Sequence, residues 1–228
     1  MITINFYEIQ NKYNKKVVFI RVEPKNINKT LQDIISKLYD LSWIEKFDQG
    51  FKKASLYARV KPTVDSIEKK LRLSIDDKIT KDAGEYIVSE LSRLAIKKEL
   101  NYNCPPLSEL YSKQISGNAG FDYHAESGEN ILIFGEAKYL TGKNAYGTGL
   151  KQVISFIAEK KDIKDIEDLE NFFDIATLNN AIFGKKGYAV GFSSQSTNTK
   201  TLINNITKNK EYNELLKYDE IVLIAVDI

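Results

Sequence analysis

The chain has 228 residues and a formal net charge of +2, with 43% hydrophobic and 28% charged side chains. This composition is that of a folded globular protein, and it excludes the disordered, collagen-like and coiled-coil classes. No apolar run reaches the roughly 18 residues that a membrane span requires. The first ten residues lack the basic and apolar regions of a signal peptide. We therefore expect a cytoplasmic protein that does not enter a membrane.

The scarcity of two residue types limits the kind of metal site that the chain can build. Cys104 and His124 are the one cysteine and the one histidine of the sequence. An internal disulfide is therefore excluded, as is a zinc site made of cysteines or of several histidines. Any metal ion should be a hard cation held by oxygen atoms.

Charge is distributed unevenly along the chain. Residues 1–100 carry 20 basic and 14 acidic side chains, a balance of +6, whereas residues 101–228 carry 13 and 17, a balance of −4. Two interpretations fit this difference: an unevenly charged solvated surface, or a basic N-terminal face that contacts phosphate groups. The net charge of +2 is too small to decide between them.

The first third of the chain predicts a hairpin followed by helices. Residues 2–8 and 16–22 have the composition of two strands joined by a turn. Four helices are predicted from apolar residues at helical spacing: 28–41, 43–58, 63–72 and 81–99. Pro62 marks the start of the third of these helices, and Thr80 caps the fourth.

From residue 107 onward, predicted strands alternate with helices. A short helix or strand over 107–112 precedes two strands, 119–125 and 130–140, which a turn at 126–130 joins as a hairpin. The remaining predicted elements are, in order, a loop over 141–149, helices over 150–160, 162–172 and 175–182, a strand over 187–193, a helix over 199–216 and a strand over 220–227.

The order of these elements predicts an α/β fold, a mixed sandwich in which helices cover both faces of a central sheet. We expect residues 80–228 to form this core. Residues 1–79 should form a smaller αβ extension, a hairpin plus helices, that docks a partner or DNA.

Acidic and basic residues are predicted to meet at one point of the sheet. Glu136 and Lys138 stand two residues apart on a strand with a strongly apolar beginning, so they share one face of that strand. A turn at 126–130 sets Asp122 of the preceding strand opposite Phe134, and a small shift in register brings its carboxylate beside Glu136. Two carboxylates and one ammonium would then lie together.

This arrangement suits the hydrolysis of a phosphate ester. The carboxylates of Asp122 and Glu136 can bind a Mg²⁺ ion, which can also coordinate the backbone carbonyl oxygen of Ala137, water molecules and a substrate phosphate. Such an ion lowers the pKa of a bound water and neutralises charge at the phosphorus. The ammonium of Lys138 can position the attacking water or stabilise the developing negative charge.

An acidic residue, any residue and then lysine is a weak motif by itself. It begins at six positions of this chain: Glu23, Glu68, Asp76, Glu136, Glu159 and Asp162. Only at Glu136 does a strand of buried character precede the motif, with an aspartate on the neighbouring strand and a helix after it. The structural alternative is an ion pair on an exposed strand, worth at most ~1 kcal/mol.

A resemblance to a known superfamily is carried by the segment GFDYHAESGENILIFGEAKY. It resembles the core of the PD-(D/E)xK nucleases, which have the restriction-endonuclease-like fold. Asp122 matches the aspartate of their motif, Glu136 the second acid and Lys138 the lysine, whereas Phe121 stands where the motif's proline would be. The resemblance covers about residues 80–226, so it implies this fold for the core of the chain.

The resemblance implies further site residues and a cofactor. These nucleases place an acid on the core helix before the strands, a position that Glu85 matches, with Glu90 as the alternative. Many carry a glutamine on the helix after the lysine strand, which Gln152 matches. The implied enzyme is a Mg²⁺-dependent deoxyribonuclease that also accepts Mn²⁺, with Glu85 joining the other two acids as a metal ligand. Ordinary structural roles stay open for Glu85 and Gln152, and for His124 near the motif.

A narrower resemblance is to the HamA nuclease subunits of Hachiman anti-phage systems. The run FGEAKY, the helix that contains GEY and the small N-terminal αβ region carry it. It implies an effector nuclease of bacterial defence, with DNA as the substrate and a helicase subunit as the partner that controls cleavage. The alternatives are a stand-alone restriction endonuclease that acts as a homodimer, and a non-catalytic module that binds nucleic acid or protein.

Overall fold

The computed structural model of the protein describes residues 2–74, 79–112, 120–195 and 197–228. Within these ranges the chain is α/β, with one six-stranded mixed sheet flanked by helices. The strands are β1 (Ile2–Glu8), β2 (Lys16–Pro24), β3 (Tyr123–Glu126), β4 (Leu132–Lys138), β5 (Lys186–Ser194) and β6 (Glu220–Asp227). The α-helices are α1 (Ile27–Leu38), α2 (Gly50–Leu73), α3 (Lys81–Glu99), α4 (Ser108–Tyr111), α5 (Tyr146–Ala158), α6 (Lys161–Asp165), α7 (Ile175–Ile182), α8 (Thr199–Thr207) and α9 (Lys210–Leu215). Two 3-10 turns cover Ser42–Lys46 and Ile166–Leu169.

The strands follow the order β1-β2-β6-β5-β4-β3 across the sheet. The four central strands are parallel, and β1 and β3 pair antiparallel at the two sides. Almost every residue of β5 and β6 is buried, as expected of parallel strands covered on both faces. The central strands end together at the carboxyl edge, formed by Pro24, Lys138, Ser194 and Asp227. They begin together at the amino edge, formed by Lys16, Leu132, Lys186 and Glu220.

The predicted N-terminal hairpin is confirmed, and it belongs to the central sheet. β1 pairs with β2, and β2 pairs in parallel with β6, at the other end of the sequence. The division between residues 1–79 and 80–228 stays a prediction, although the hydrogen-bonded sheet extends across it. Over the described ranges, no helix combines the length and the apolar character needed to cross a bilayer.

A proline lies inside the longest helix. Pro62 is within α2, so the prediction of two helices over 43–58 and 63–72 is wrong. The buried residues of α2 continue past the proline at helical spacing: Leu56, Val60, Val64, Ile67 and Leu71. Burial of this stripe outweighs the ~3 kcal/mol that proline costs in a helix interior.

Helix α5 begins earlier than predicted. It starts at Tyr146, inside the glycine-rich stretch that predicts a loop over 141–149. Gly149 and Leu150 are buried where α5 packs on β4 and β5. This packing outweighs the low helix propensity of glycine.

Two other predicted helices are each divided in the structure. In place of the predicted helix over 162–172 the structure has α6, which begins at Lys161, and then a 3-10 turn; the stretch 199–216 contains α8 and α9. The side chain of Asn209 accepts the N–H of Tyr212 and so begins a new helix at that point.

Candidate active site at the carboxyl edge

The hairpin of β3 and β4 brings Asp122 and Glu136 together. Tyr123 pairs with Gly135 and His124 with Phe134. Asp122 lies one residue before β3, outside the ladder, and its N–H donates to the carbonyl of Gly135 at 2.9 Å, next to Glu136. The predicted pairing of Asp122 with Phe134 is wrong, because Phe134 pairs with His124. The charge of Asp122 nevertheless acts on Glu136 and raises the pKa of its carboxyl.

The turn explains the difference in register. Ser127 N donates to the carbonyl of Ile131 at 3.0 Å, and Ser127 Oγ accepts the N–H groups of Glu129 and Ile131, each at 3.3 Å. The loop is therefore centred on Glu129, one residue later than the predicted turn. A serine that binds the backbone within its own loop is a local preference that strand periodicity does not reveal.

Asp122 is fixed by the backbone around it. Its Oδ2 accepts the N–H of Ala137 at 2.7 Å. Its own N–H donates to the carbonyl of Gly135, and its carbonyl accepts the N–H of Ser108, each at 2.9 Å. Burial raises the pKa of the Asp122 carboxyl to about 6, although the N–H of Ala137 favours the ionised form. The role expected of the Ala137 carbonyl oxygen stays a prediction.

Lys138 lies between two carboxylates. Its Nζ is 3.1 Å from Oε1 of Glu136 and 3.3 Å from Oε1 of Glu85. Burial opposes the charge on Lys138, but Glu136, Asp122 and Glu85 together outweigh it and raise the pKa of the ammonium. We call these four residues, Asp122, Glu136, Lys138 and Glu85, the site cluster.

Glu136 is the most buried member of the site cluster, with 1% of its surface exposed. Burial, and then the negative charge of Asp122, raise the pKa of Glu136 well above its ordinary value. Its Oε2 is buried and has no hydrogen-bond partner among the described residues. A buried carboxylate oxygen without a donor is costly, so this atom is a candidate ligand for a cation.

Helix α3 supplies the third acid. Glu85 lies one turn beyond the Thr80 N-cap, whose side chain accepts the N–H of Ala83. A Cβ on the preceding residue, Gly84, would collide with the ring of Tyr139, so the glycine allows α3 to lie close to the end of β4.

The alternative acid, Glu90, is engaged elsewhere. Its two carboxylate oxygens accept bonds from Arg93 at 2.7 and 2.8 Å. Arg93 also donates to the carbonyls of Cys104 and Pro105. Glu90 therefore binds Arg93, which ties α3 to the following loop, and Glu85 is the acid that reaches Lys138.

Gln152 is not joined to the site cluster. It lies on α5 and is partly buried. Among the described residues, no hydrogen bond connects it with Asp122, Glu136 or Lys138. Its expected catalytic role stays a prediction.

A cavity of about 190 Å³ opens beside the site cluster, lined in part by Asp122, Glu85, Tyr86 and Glu109. The hydroxyl of Tyr86 donates to Glu109. The charge of Glu109 adds to that of Glu85 in raising the pKa of Asp122. Sequence reasoning missed Tyr86 and Glu109, because α3 and α4 meet only in the folded chain and no spacing signals it.

The residues fit a hard divalent cation by their chemistry, but they do not form a preformed cage. Within the described part of the chain, no group of three or more histidine, cysteine or acidic side chains is arranged to hold a metal ion. Lys138 binds both Glu136 and Glu85, and so occupies oxygens that a metal would use. The free Oε2 of Glu136 and the carboxylate of Asp122 are oxygen donors of the kind that Mg²⁺ prefers.

Comparison with known proteins finds no match among family models, curated proteins or solved structures. The class of protein is therefore defined by its fold and by the arrangement of the site cluster. It is an α/β protein whose acidic cluster, with one lysine, lies at the carboxyl ends of parallel strands. Ligands of open α/β sheets bind at such ends.

Proposed function

We propose that the chain is a metal-dependent deoxyribonuclease that hydrolyses phosphodiester bonds, on a restriction-endonuclease-like core. The observation that carries the proposal is the convergence of three acids, Asp122, Glu136 and Glu85, on one lysine. Three carboxylates against one ammonium leave surplus negative charge in a partly buried place. A divalent cation would compensate that surplus.

Each residue of the site cluster has a role in this chemistry. Asp122 and Glu136, with Glu85, would hold a Mg²⁺ or Mn²⁺ ion. When bound, the ion supplies a water of lowered pKa and neutralises charge at the phosphorus. The surrounding carboxylates raise the pKa of Lys138, so it acts as a cation and not as a base. It positions the attacking water and stabilises charge on the phosphate.

We further propose that the protein is an effector nuclease of a bacterial anti-phage system, with a helicase subunit that controls cleavage. The resemblance of FGEAKY and the GEY helix to HamA carries this part. The enclosed site supports it, because Glu136 is buried and Lys138 is paired with two acids in the isolated chain. A site in this condition should be weakly active until a partner or DNA opens it.

The test is cleavage of supercoiled plasmid and linear DNA by the purified chain with Mg²⁺ or Mn²⁺. We expect cleavage that is lost in the Glu136→Ala/Lys138→Ala double variant. The matched control is Glu159→Ala/Lys161→Ala, which removes a second acid–x–lysine pair, 3.5 Å apart, on another part of the chain. This control should cut as the wild type does.

The product pattern distinguishes the alternatives. Cutting at one fixed sequence would favour a stand-alone restriction enzyme, and sequence-independent cutting that a helicase partner releases would favour the defence effector. A folded chain that cuts no DNA under any of these conditions, with or without a helicase partner, and binds no Mn²⁺ would contradict the proposal and favour a non-catalytic module.

A further inference from the structure

Asp165, the last residue of α6, contacts the chain on both sides of Asp122. Its Oδ2 accepts the backbone N–H of Phe121 at 2.9 Å. The same oxygen lies 3.3 Å from Nε2 of His124. The sequence places Asp165 in an acidic helical stretch, with no sign of a contact 44 residues earlier in the chain.

The position of Asp122 makes this contact important. Asp122 and Phe121 precede β3, so they lie outside the regular ladder of that strand. Phe121 is fully buried, and the carboxylate of Asp165 satisfies its N–H. Without Asp165 that donor would be left buried and unpaired, and the backbone that carries Asp122 would lose an anchor.

His124 is the contact of Asp165 that follows Asp122 in the chain. Its ring is 1% exposed, and Nδ1 lies 2.8 Å from the hydroxyl of Tyr111. The ring also packs edge-on against Phe134, with the ring centroids 5.4 Å apart. Asp165 therefore lies between the buried ring of His124 and the N–H of Phe121, the residue before Asp122.

Gly120 leaves the space that Asp165 occupies. A Cβ on Gly120 would collide with Oδ1 of Asp165. The obstructing atom is at the end of a side chain, so an alanine would displace the carboxylate with little other change. The run Gly120-Phe121-Asp122 thus has a physical reason: room for the carboxylate, an N–H that binds it, and the acid that it fixes.

We propose that Asp165 is a positioning residue that directs the metal-binding carboxylate of Asp122. The inference rests on the proposed function, because Asp122 is treated as a ligand. Asp165 itself is not placed among the ligands, since its Oδ2 accepts the N–H of Phe121 and lies 3.3 Å from Nε2 of His124. It acts through the backbone, as outer residues of metal sites commonly do.

Four variants test the proposal: Asp165→Ala, Asp165→Asn, Gly120→Ala and Glu167→Ala. The first and third remove or displace the carboxylate, and the second keeps an oxygen that can accept the N–H of Phe121. Glu167 is an exposed acid two residues away and serves as the control. Mn²⁺ affinity is measured by calorimetry, and hydrogen exchange of the Phe121 amide by NMR.

We expect Asp165→Ala and Gly120→Ala to weaken Mn²⁺ binding by about 10-fold or more and to accelerate exchange at Phe121. Asp165→Asn should recover both properties to within about threefold, and Glu167→Ala should match the wild type. A purely structural role would lower thermal stability without this pattern. If Asp165→Ala does not fold, Gly120→Ala carries the test.

Wild-type Mn²⁺ affinity in folded Asp165→Ala, or an Asp165→Asn as defective as the alanine variant, would overturn the proposal. If the wild type binds no Mn²⁺, the proposed function fails separately. Hydrogen exchange at Phe121 then still tests whether Asp165 anchors the backbone before Asp122. Faster exchange in Asp165→Ala supports this anchor, and unchanged exchange overturns it.

Discussion

The two edges of the sheet bury charge in different ways. At the amino edge two buried acids, Asp162 and Glu220, each have a cation. Asp162 binds Lys186 at 2.5 Å and accepts the hydroxyl of Tyr188 at 2.7 Å. Glu220 lies 3.4 Å from Lys16 and accepts the hydroxyl of Tyr102 at 2.5 Å.

At the carboxyl edge the charges of the site cluster are not balanced. Asp122, Glu136 and Glu85 share the ammonium of Lys138. Among the described residues, one buried oxygen of Glu136 and one of Glu220 at the amino edge both lack a hydrogen-bond partner, so the difference between the edges is the number of acids for each cation. Balanced pairs need nothing further to be stable, whereas a surplus of buried charge lowers stability unless a ligand offsets it. This difference supports the proposal that the site cluster binds a ligand, whereas the amino-edge pairs are explained by structural roles alone.

The largest effect should come from the lysine of the site cluster. Lys138→Ala should reduce DNA cleavage by about 10²–10³-fold or more, because it removes a cation from the place where charge develops. Mn²⁺ affinity should be kept or increased, since a competing cation is lost. Single-turnover cleavage and calorimetry separate the two effects, with Lys161→Ala as the control. Undiminished cleavage by Lys138→Ala would place the chemistry elsewhere.

At the amino edge the large effect should be on stability. Asp162→Ala leaves the Lys186 ammonium buried without its carboxylate, so we expect a loss of about 3–5 kcal/mol in the free energy of unfolding. Urea denaturation measures this loss, with the exposed Glu167→Ala as the control. An Asp162→Ala protein as stable as the wild type would contradict the structural role given to the ion pairs at the amino edge.

In the site cluster, by contrast, removing the charge of an acid should increase the free energy of unfolding. The pKa of Asp122 is raised from 3.8 to about 6, so the folded protein binds this proton more tightly than the unfolded chain does. Its contribution to stability is present below pH 3.8 and is lost as the pH rises through 6. Asp122→Asn keeps an acceptor for Ala137 and should raise the metal-free free energy of unfolding at pH 7.5 by up to about 3 kcal/mol.

Urea denaturation in EDTA at several pH values checks this prediction. The advantage of Asp122→Asn should shrink as the pH falls from 6 toward 4. A variant less stable than the wild type at pH 7.5 would show that the Asp122 charge is well compensated. That result would contradict the claim that the charges of the site cluster are not balanced.

The smallest effect is expected at Gln152. No hydrogen bond joins it to the site cluster among the described residues, so Gln152→Ala should change cleavage by less than about threefold. The rate under saturating Mg²⁺ is the measurement, and Lys161→Ala is again the control. A loss of a hundredfold would show that DNA binding brings α5 to the site.

The sequence predicts those parts of the site that depend on local geometry. Glu136 and Lys138 share a strand face because side chains alternate, and Asp122 reaches Glu136 because one short hairpin joins them. Glu85 is predicted from the resemblance to the PD-(D/E)xK nucleases and from its place on the predicted helix 81–99. The turn at Ser127 moved the register by two residues without separating the acids.

Contacts between distant segments could not be predicted in this way. The pairing of β2 with β6 and the contact of Asp165 with Phe121 depend on how whole elements pack. Pro62 misleads for the same reason, because burial of α2 overrides a local helix breaker. Local patterns therefore identify the residues of the site cluster but not the residues that support them.

Calorimetric titration of Mn²⁺ into the metal-free chain at pH 7.5 tests the central claim most directly, beside Glu136→Gln and the control Glu167→Ala. We predict that the wild type and the control bind the ion alike, with release of protons from the site cluster, and that Glu136→Gln binds at least about 10-fold more weakly. Absence of binding in the wild type, or equal binding by all three proteins, would contradict a metal site at the carboxyl edge.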